Sequence, residues 1–192
     1  MTEETRIMGK DSAMQSAELA GELVYTAPTE VTVASSDKHG NAILQAVEAV
    51  SGGQKGVYLT VNWPHHKLKA FFRAKNIDSS HIKFVDAITA MAMPHIRNHE
   101  TCAFIQHPAD LTYMDVQILE ALKNIEGKKF LIVDSVSTLM AYNEKEKVMR
   151  FMHALSASLK SGGDATLITL ESGDNAAARQ VCEQFADQII HV

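Results

Sequence analysis

The chain has 192 residues, of which 46% are hydrophobic and 21% are charged, a balance typical of a soluble globular protein and not of a disordered or fibrous one. Its formal net charge of -5 argues against a nucleic-acid partner, which needs a basic surface. No stretch is long and apolar enough to predict a membrane span, and the two cysteines form no paired motif, so a cytoplasmic location is expected.

In chain order, hydrophobic periodicity divides the sequence into an N-terminal extension, residues 1–28, and one domain, residues 29–192. The extension is predicted to carry a short helix over 11–24. The domain begins with a β-branched strand at 30–34, and a helical pattern runs from Asn41 until a Ser-Gly-Gly sequence stops it.

After this helix, apolar strands alternate with amphipathic helices. Strands are predicted at 56–62, 82–88, 102–107, 128–135 and 165–171, with helices at 65–76, 114–125, 144–160 and 175–187. The stretch 91–100 is the least regular and is predicted to be a loop. Such alternation predicts an α/β fold in three layers, α/β/α, with a mostly parallel central sheet covered by helices on both faces.

Asp134 is the most informative residue of this pattern. It follows the apolar run Phe130 to Val133, and the carboxyl end of a buried strand is where open α/β sheets bind their ligands. An aspartate there can orient Mg²⁺ next to nucleotide phosphates. It can equally cap the turn that follows, because a motif this short also occurs without that function.

The order of several segments resembles one known family. FLIVDSVSTL, followed by a long helix and by DATLITLE, is similar to the second half of a RecA-fold ATPase domain of the KaiC-like kind. GVYLTVNWPHHKLKAFFRAKNIDSSHIKFVDAI resembles the segment that follows the P-loop helix in that family. The resemblance covers roughly residues 29–192, and it implies a RecA-like central sheet, a site for ATP with Mg²⁺, and assembly of domains side by side.

The stretch VASSDKHGNAIL, residues 33–44, departs from that family where a P-loop, G-x-x-x-x-G-K-[ST], is expected. Aligning Gly40 with the second glycine places Asn41 at the lysine and Ala42 at the hydroxyl position. Aligning His39 there places Gly40 at the lysine position. Neither register supplies the phosphate-binding set, and Lys38 lies on the loop ahead of Gly40.

The strand after the P-loop helix ends in Asn62 and Trp63, where the resembled family carries the acidic residue that activates water. An amide takes up no proton near neutral pH, so hydrolysis of ATP is not expected. Trp63 is predicted either to stack on a base or to close the core. The predicted residues of this degenerate nucleotide site are Ser35, Ser36, Asp37, Lys38, His39, Gly40, Asn41, Asp134 and Ser135, with Asn62 and Trp63 beside it.

The nine histidines raise the question of a metal site. His95 and His99 are spaced i, i+4, with Cys102 and His107 downstream, and His65 and His66 are adjacent in the sequence. Zinc accepts such ligands. Pro94 makes a helix uncertain over 91–100, however, and scattered histidines need no common purpose. No metal site is therefore predicted.

Three functions remain open. The first is a catalytically degenerate RecA/KaiC-like domain, without an enzyme activity or cofactor of its own, that acts as a binding or regulatory module through self-association or a protein partner. The second is an ATP-binding protein or ATPase with a divergent phosphate loop that uses Lys38, the hydroxyls of Ser35 and Ser36, and Asp134 on Mg²⁺. The third is an enzyme of different chemistry on a similar sheet, for which no catalytic set can be assigned.

Overall fold

The computed structural model describes residues 31–35, 39–50, 54–161, 165–171 and 175–184. The predicted extension, 1–28, and its helix at 11–24 lie outside the described residues. The strands are β1 Val31–Ser35, β2 Lys55–Thr60, β3 Ile82–Asp86, β4 Cys102–Phe104, β5 Lys129–Asp134 and β6 Ala165–Glu171. The helices are α1 His39–Val50, α2 His65–Ala74, α3 Thr89–Ala92, α4 Leu111–Lys123, α5 Val136–Tyr142, α6 Lys145–Ser161 and α7 Ala176–Glu183.

The six strands form one sheet in the order β1-β6-β5-β2-β3-β4, and every pairing among them is parallel. Parallel neighbours require a crossover between them, and helices supply these crossovers here. The prediction of a three-layer α/β fold with a parallel central sheet is thereby confirmed.

Side-chain alternation along the central strands creates the two helical layers. Leu131 and Val133 of β5 belong to a core with α4, α5, α6 and α7, whereas Phe130 and Ile132 belong to a second core with α1 and α2. Because successive side chains of a strand point to opposite faces, a strand buried on both sides is continuously apolar, as β5 is from Phe130 to Val133.

Several element ends differ from the sequence expectation. Helix α1 begins at His39, two residues before the predicted start, and the predicted strands at 56–62, 82–88, 102–107 and 128–135 are each shorter in the structure. Helix α5 was not predicted; Ser135 caps it by accepting a hydrogen bond from the Thr138 N–H. The stretch 91–100 is mostly irregular, as expected, after the short α3. None of the described helices combines the length and apolar character needed to cross a membrane.

Candidate functional site

The carboxyl ends of the strands meet at one edge of the sheet, and the candidate site lies there. Thr60 of β2 is in register with both Asp86 of β3 and Asp134 of β5, and Ser35 of β1 is in register with Glu171 of β6. Because all these strands are parallel, their last residues face the same edge, where a doubly wound sheet binds ligands. Asp134 lies near the middle of this edge.

The Asp134 carboxylate is fully buried and is hydrogen-bonded by three side chains. Tyr58 Oη donates to Oδ2 at 2.7 Å and Asn62 Nδ2 donates to Oδ1 at 2.6 Å. His39 Nε2 lies 3.1 Å from Oδ1 and 3.2 Å from Oδ2. A buried charge is tolerated only when it is paired and hydrogen-bonded, and these donors reach both oxygens. We call these four residues the Asp134 network.

Two features keep the Asp134 network in one arrangement. Burial, followed by the nearby Asp134 charge and their hydrogen bond, raises the pKa of Tyr58 well above its ordinary value, so the phenol stays protonated and donates. Thr138 Oγ1 donates to Asn62 Oδ1, which fixes the orientation of the amide and directs its nitrogen at Asp134. Neither Tyr58 nor Thr138 was singled out from the sequence.

Aromatic rings enclose the network on the side of α2. The ring of Trp63 packs edge-on against His39, with centroids 5.6 Å apart, and against Phe71, with centroids 5.4 Å apart. Lys67 Nζ lies 4.1 Å from the centre of the indole, a cation–π contact. Trp63 is partly buried and packs against the α1/α2 core, which matches the core-closing alternative predicted for it.

The structure brings together only some of the predicted site residues. His39, Asn62 and Asp134 are in direct contact and Trp63 adjoins them, whereas Asn41 is exposed on α1. Ser135 is buried and is used as the cap of α5. Ser35 is the last residue of β1. Gly40 packs against the Phe71 ring, and a Cβ added at Gly40 would lie 3.3 Å from a carbon of that ring. The loop residues Ser36, Asp37 and Lys38 lie outside the described residues.

Asp86 is a second buried carboxylate at the same edge. Its oxygens accept hydrogen bonds from the backbone N–H groups of His65, Ile88 and Thr89 and from the Thr89 hydroxyl. These bonds satisfy the N-termini of α2 and α3. Asp86 therefore holds both helices to β3.

A model of the KaiC ATPase family matches residues 42–192 of this chain. The matched span begins at Ala42, within the stretch 33–44 in which a P-loop is expected, and it includes Asn62 and Asp134. No curated protein matches the sequence.

Among solved structures, the KaiC-like protein PH0186 from Pyrococcus horikoshii is 14% identical, with a TM-score of 0.58 over 84% of this chain and 71% of that one. The uncharacterised protein PH0321 from Pyrococcus horikoshii, solved in complex with an unknown peptide, is 12% identical, with a TM-score of 0.58 over 85% of this chain and 77% of that one. At such identities the likeness concerns the fold.

Proposed function

This chain belongs to the KaiC ATPase family, and we propose that it is a non-hydrolysing member that acts as a binding or regulatory module through protein–protein assembly. The observation that carries the proposal is the Asp134 network. The carboxylate that would orient Mg²⁺ in a working relative is bonded instead by His39, Tyr58 and Asn62.

Domains of this family usually bind ATP with Mg²⁺, and the described residues fit that ligand poorly. Mg²⁺ requires near-octahedral oxygen coordination and keeps several of its waters. Here an imidazole, an amide and a phenol donate hydrogen bonds to the oxygens that would face those waters. Replacing these donors by hydrated Mg²⁺ would leave buried Tyr58 without its acceptor, which costs free energy.

Asn62 also argues against hydrolysis. Its amide donates to Asp134 and accepts from Thr138, so both ends of the side chain are used within the protein. An amide cannot take a proton from water, and a general base has to lie within hydrogen-bond reach of the attacking water. We infer that Asn62 positions Asp134 and has no catalytic role.

Assembly is supported by apolar side chains that the described structure leaves exposed. Met91 on α3 is 43% exposed, Met93 directly after α3 is 55% exposed, and Val116 on α4 is 45% exposed. Methionine side chains adapt to varied apolar partners. The related fold of PH0321 was solved with a peptide bound, which supports a polypeptide as the ligand class.

The test is thermal melting of the full chain with and without millimolar Mg·ATP and Mg·ADP. Trp63 fluorescence monitors the unfolding transition. A ligand present at 100 times its dissociation constant stabilises the native state by about 2.7 kcal/mol, or about 5–11 °C in a domain of this size. We expect no shift with either nucleotide and no phosphate release above the buffer blank. Sedimentation of the same sample should show a species larger than the 21.1 kDa chain, or one that forms with a polypeptide partner.

A shift of several degrees would contradict the proposal and favour the second reading, an ATP-binding protein with a divergent loop. In that case Lys38→Ala should remove the shift, because Lys38 is the lysine of the loop sequence. His66→Ala serves as the control, since His66 is exposed and lies outside the Asp134 network.

A further inference from the structure

Two histidines and one cysteine meet beside β4, away from the Asp134 network. His65 is the first residue of α2, His99 lies in the loop before β4, and Cys102 is the first residue of β4. One ligand atom from each lies within 4.8 Å of the other two. In tetrahedral zinc sites with these ligand types, the donor atoms are about 3.3–3.6 Å apart. The distances between the three donor atoms would therefore have to shorten by only about 1 Å.

We propose that His65, His99 and Cys102 bind one zinc ion, with a fourth coordination position open to water. Imidazole nitrogen and thiolate sulfur are the ligands that zinc prefers, and three protein ligands plus water is a common zinc arrangement. The sequence offered six candidate ligands without grouping them: His65, His66, His95, His99, Cys102 and His107. Of these, the structure brings together His65, His99 and Cys102.

The backbone holds the three residues in place. The His99 N–H donates to the Cys102 carbonyl at 3.0 Å, and the Cys102 N–H donates to the His99 carbonyl at 3.1 Å. The His65 N–H donates to Asp86 Oδ2 at 2.7 Å. The two imidazole rings lie 5.3 Å apart. The set is therefore preorganised by secondary structure before any ion arrives, which lowers the cost of binding.

An unsatisfied nitrogen points to a missing ligand. His65 Nε2 is buried, and within the described part of the chain no group forms a hydrogen bond with it. Buried side-chain nitrogens nearly always have a partner.

The surroundings suit a cation. Asp86 is fully buried, and its negative charge acts on both His65 and Cys102, opposed at His65 by the charge of Lys69. The Thr101 hydroxyl lies 3.3 Å from His99 Nδ1. When Nδ1 carries the proton and donates to this hydroxyl, Nε2 is the nitrogen of His99 that binds the metal. Metal-bound histidines usually donate their other ring N–H to an outer partner in this way. Zinc would displace the Cys102 thiol proton to solvent.

The experiment is titration of metal-free full chain, without an affinity tag, with Co²⁺ and then with Zn²⁺ in competition with a chelator. We expect one cobalt per chain, an absorption band from thiolate-to-cobalt charge transfer, and displacement by zinc. His99→Ala should weaken binding roughly 100-fold or more, and Thr101→Val about tenfold.

Two variants separate ligand loss from loss of folding. His99 is exposed, so His99→Ala should keep the far-UV circular dichroism of the wild type. His95→Ala, an exposed histidine in the same loop, is the matched control and should bind as the wild type does. A wild type without the charge-transfer band, or a His99→Ala protein with unchanged affinity, would refute the site.

Discussion

At the scale of single residues, the Asp134 network decides how the carboxyl edge of the sheet is used. A carboxylate with no exposed surface has to be compensated by donors. The chain supplies a phenol from β2, an amide from the turn that follows β2, and an imidazole from α1. None of these three donors is a lysine, the residue that a phosphate site employs. The same contacts that stabilise the fold therefore support the proposal of a non-hydrolysing member.

Tyr58→Phe tests this network directly. A hydrogen bond to a charged acceptor contributes about 1.5–3 kcal/mol, so we expect the free energy of unfolding to fall by that amount at pH 7. The raised pKa of Tyr58 adds a pH dependence. The phenol's contribution to the free energy of unfolding is complete below pH 10, about the pKa of tyrosine in the unfolded chain. Above that pH it falls by about 1.4 kcal/mol per pH unit.

Urea unfolding at several pH values measures both effects. The wild type should lose its advantage over Tyr58→Phe as the pH rises above 10, and the two curves should approach each other. Tyr113→Phe is the matched control, because Tyr113 is 38% exposed and lies outside the Asp134 network. A constant difference in the free energy of unfolding between wild type and Tyr58→Phe from pH 7 to 11 would show that the pKa of Tyr58 is not raised in the folded protein.

At the scale of elements, close packing between β2 and β5 fixes the identity of Gly56. Gly56 is directly opposite Phe130 in the register, and a Cβ added at Gly56 would lie 2.4 Å from two carbons of the Phe130 ring. The ring occupies the space that a side chain would need. This pairing lets a large aromatic residue fill the α1/α2 core where the two strands meet.

Gly56→Ala should therefore destabilise the protein by overpacking, by about 1–3 kcal/mol. In a Phe130→Leu background the same substitution should cost less, because the ring has been removed. Chemical denaturation of both single variants and the double variant gives the coupling, expected to be about 0.5–3 kcal/mol. If the free-energy changes of the two single variants simply added, backbone movement and not removal of the Phe130 ring would be what relieves the clash.

At the scale of the whole molecule, one sheet couples two cores. The α1/α2 core and the core with α4 to α7 share β2, β3 and β5. Destabilising either core should therefore destabilise the whole domain. Phe72 of α2 and Leu155 of α6 are both fully buried, one in each core. They offer a matched pair of sites on opposite faces.

Phe72→Ala should lower the free energy of unfolding by about 3–5 kcal/mol, and Leu155→Ala by about 2–5 kcal/mol. In each variant, Trp63 fluorescence and far-UV circular dichroism should report the same midpoint, because a cooperative domain unfolds in a single transition. If the fluorescence midpoint shifted only in Phe72→Ala and circular dichroism showed two transitions, the two helical layers would unfold independently.

Much of this architecture is predictable from local patterns. Short apolar runs predicted the strands, and periodic helices between them implied a parallel sheet, because only a crossover can join parallel neighbours. Helix α5 was missed because its seven residues are too few for a helical period to stand out, and its cap, Ser135, is an ordinary feature of a strand end. The rule that ligands bind at the carboxyl ends of strands also placed Asp134 at the candidate site.

The sequence alone determined the fold class, the position of Asp134 at a strand end and the departure of residues 33–44 from a P-loop, because each depends on neighbouring residues. Only the tertiary structure decided which donors meet Asp134, since His39, Tyr58 and Asn62 are 95, 76 and 72 residues away from it. It likewise joined His65 to His99 and Cys102. Such contacts depend on strand order and register, which bring distant segments to one edge and which no local pattern encodes.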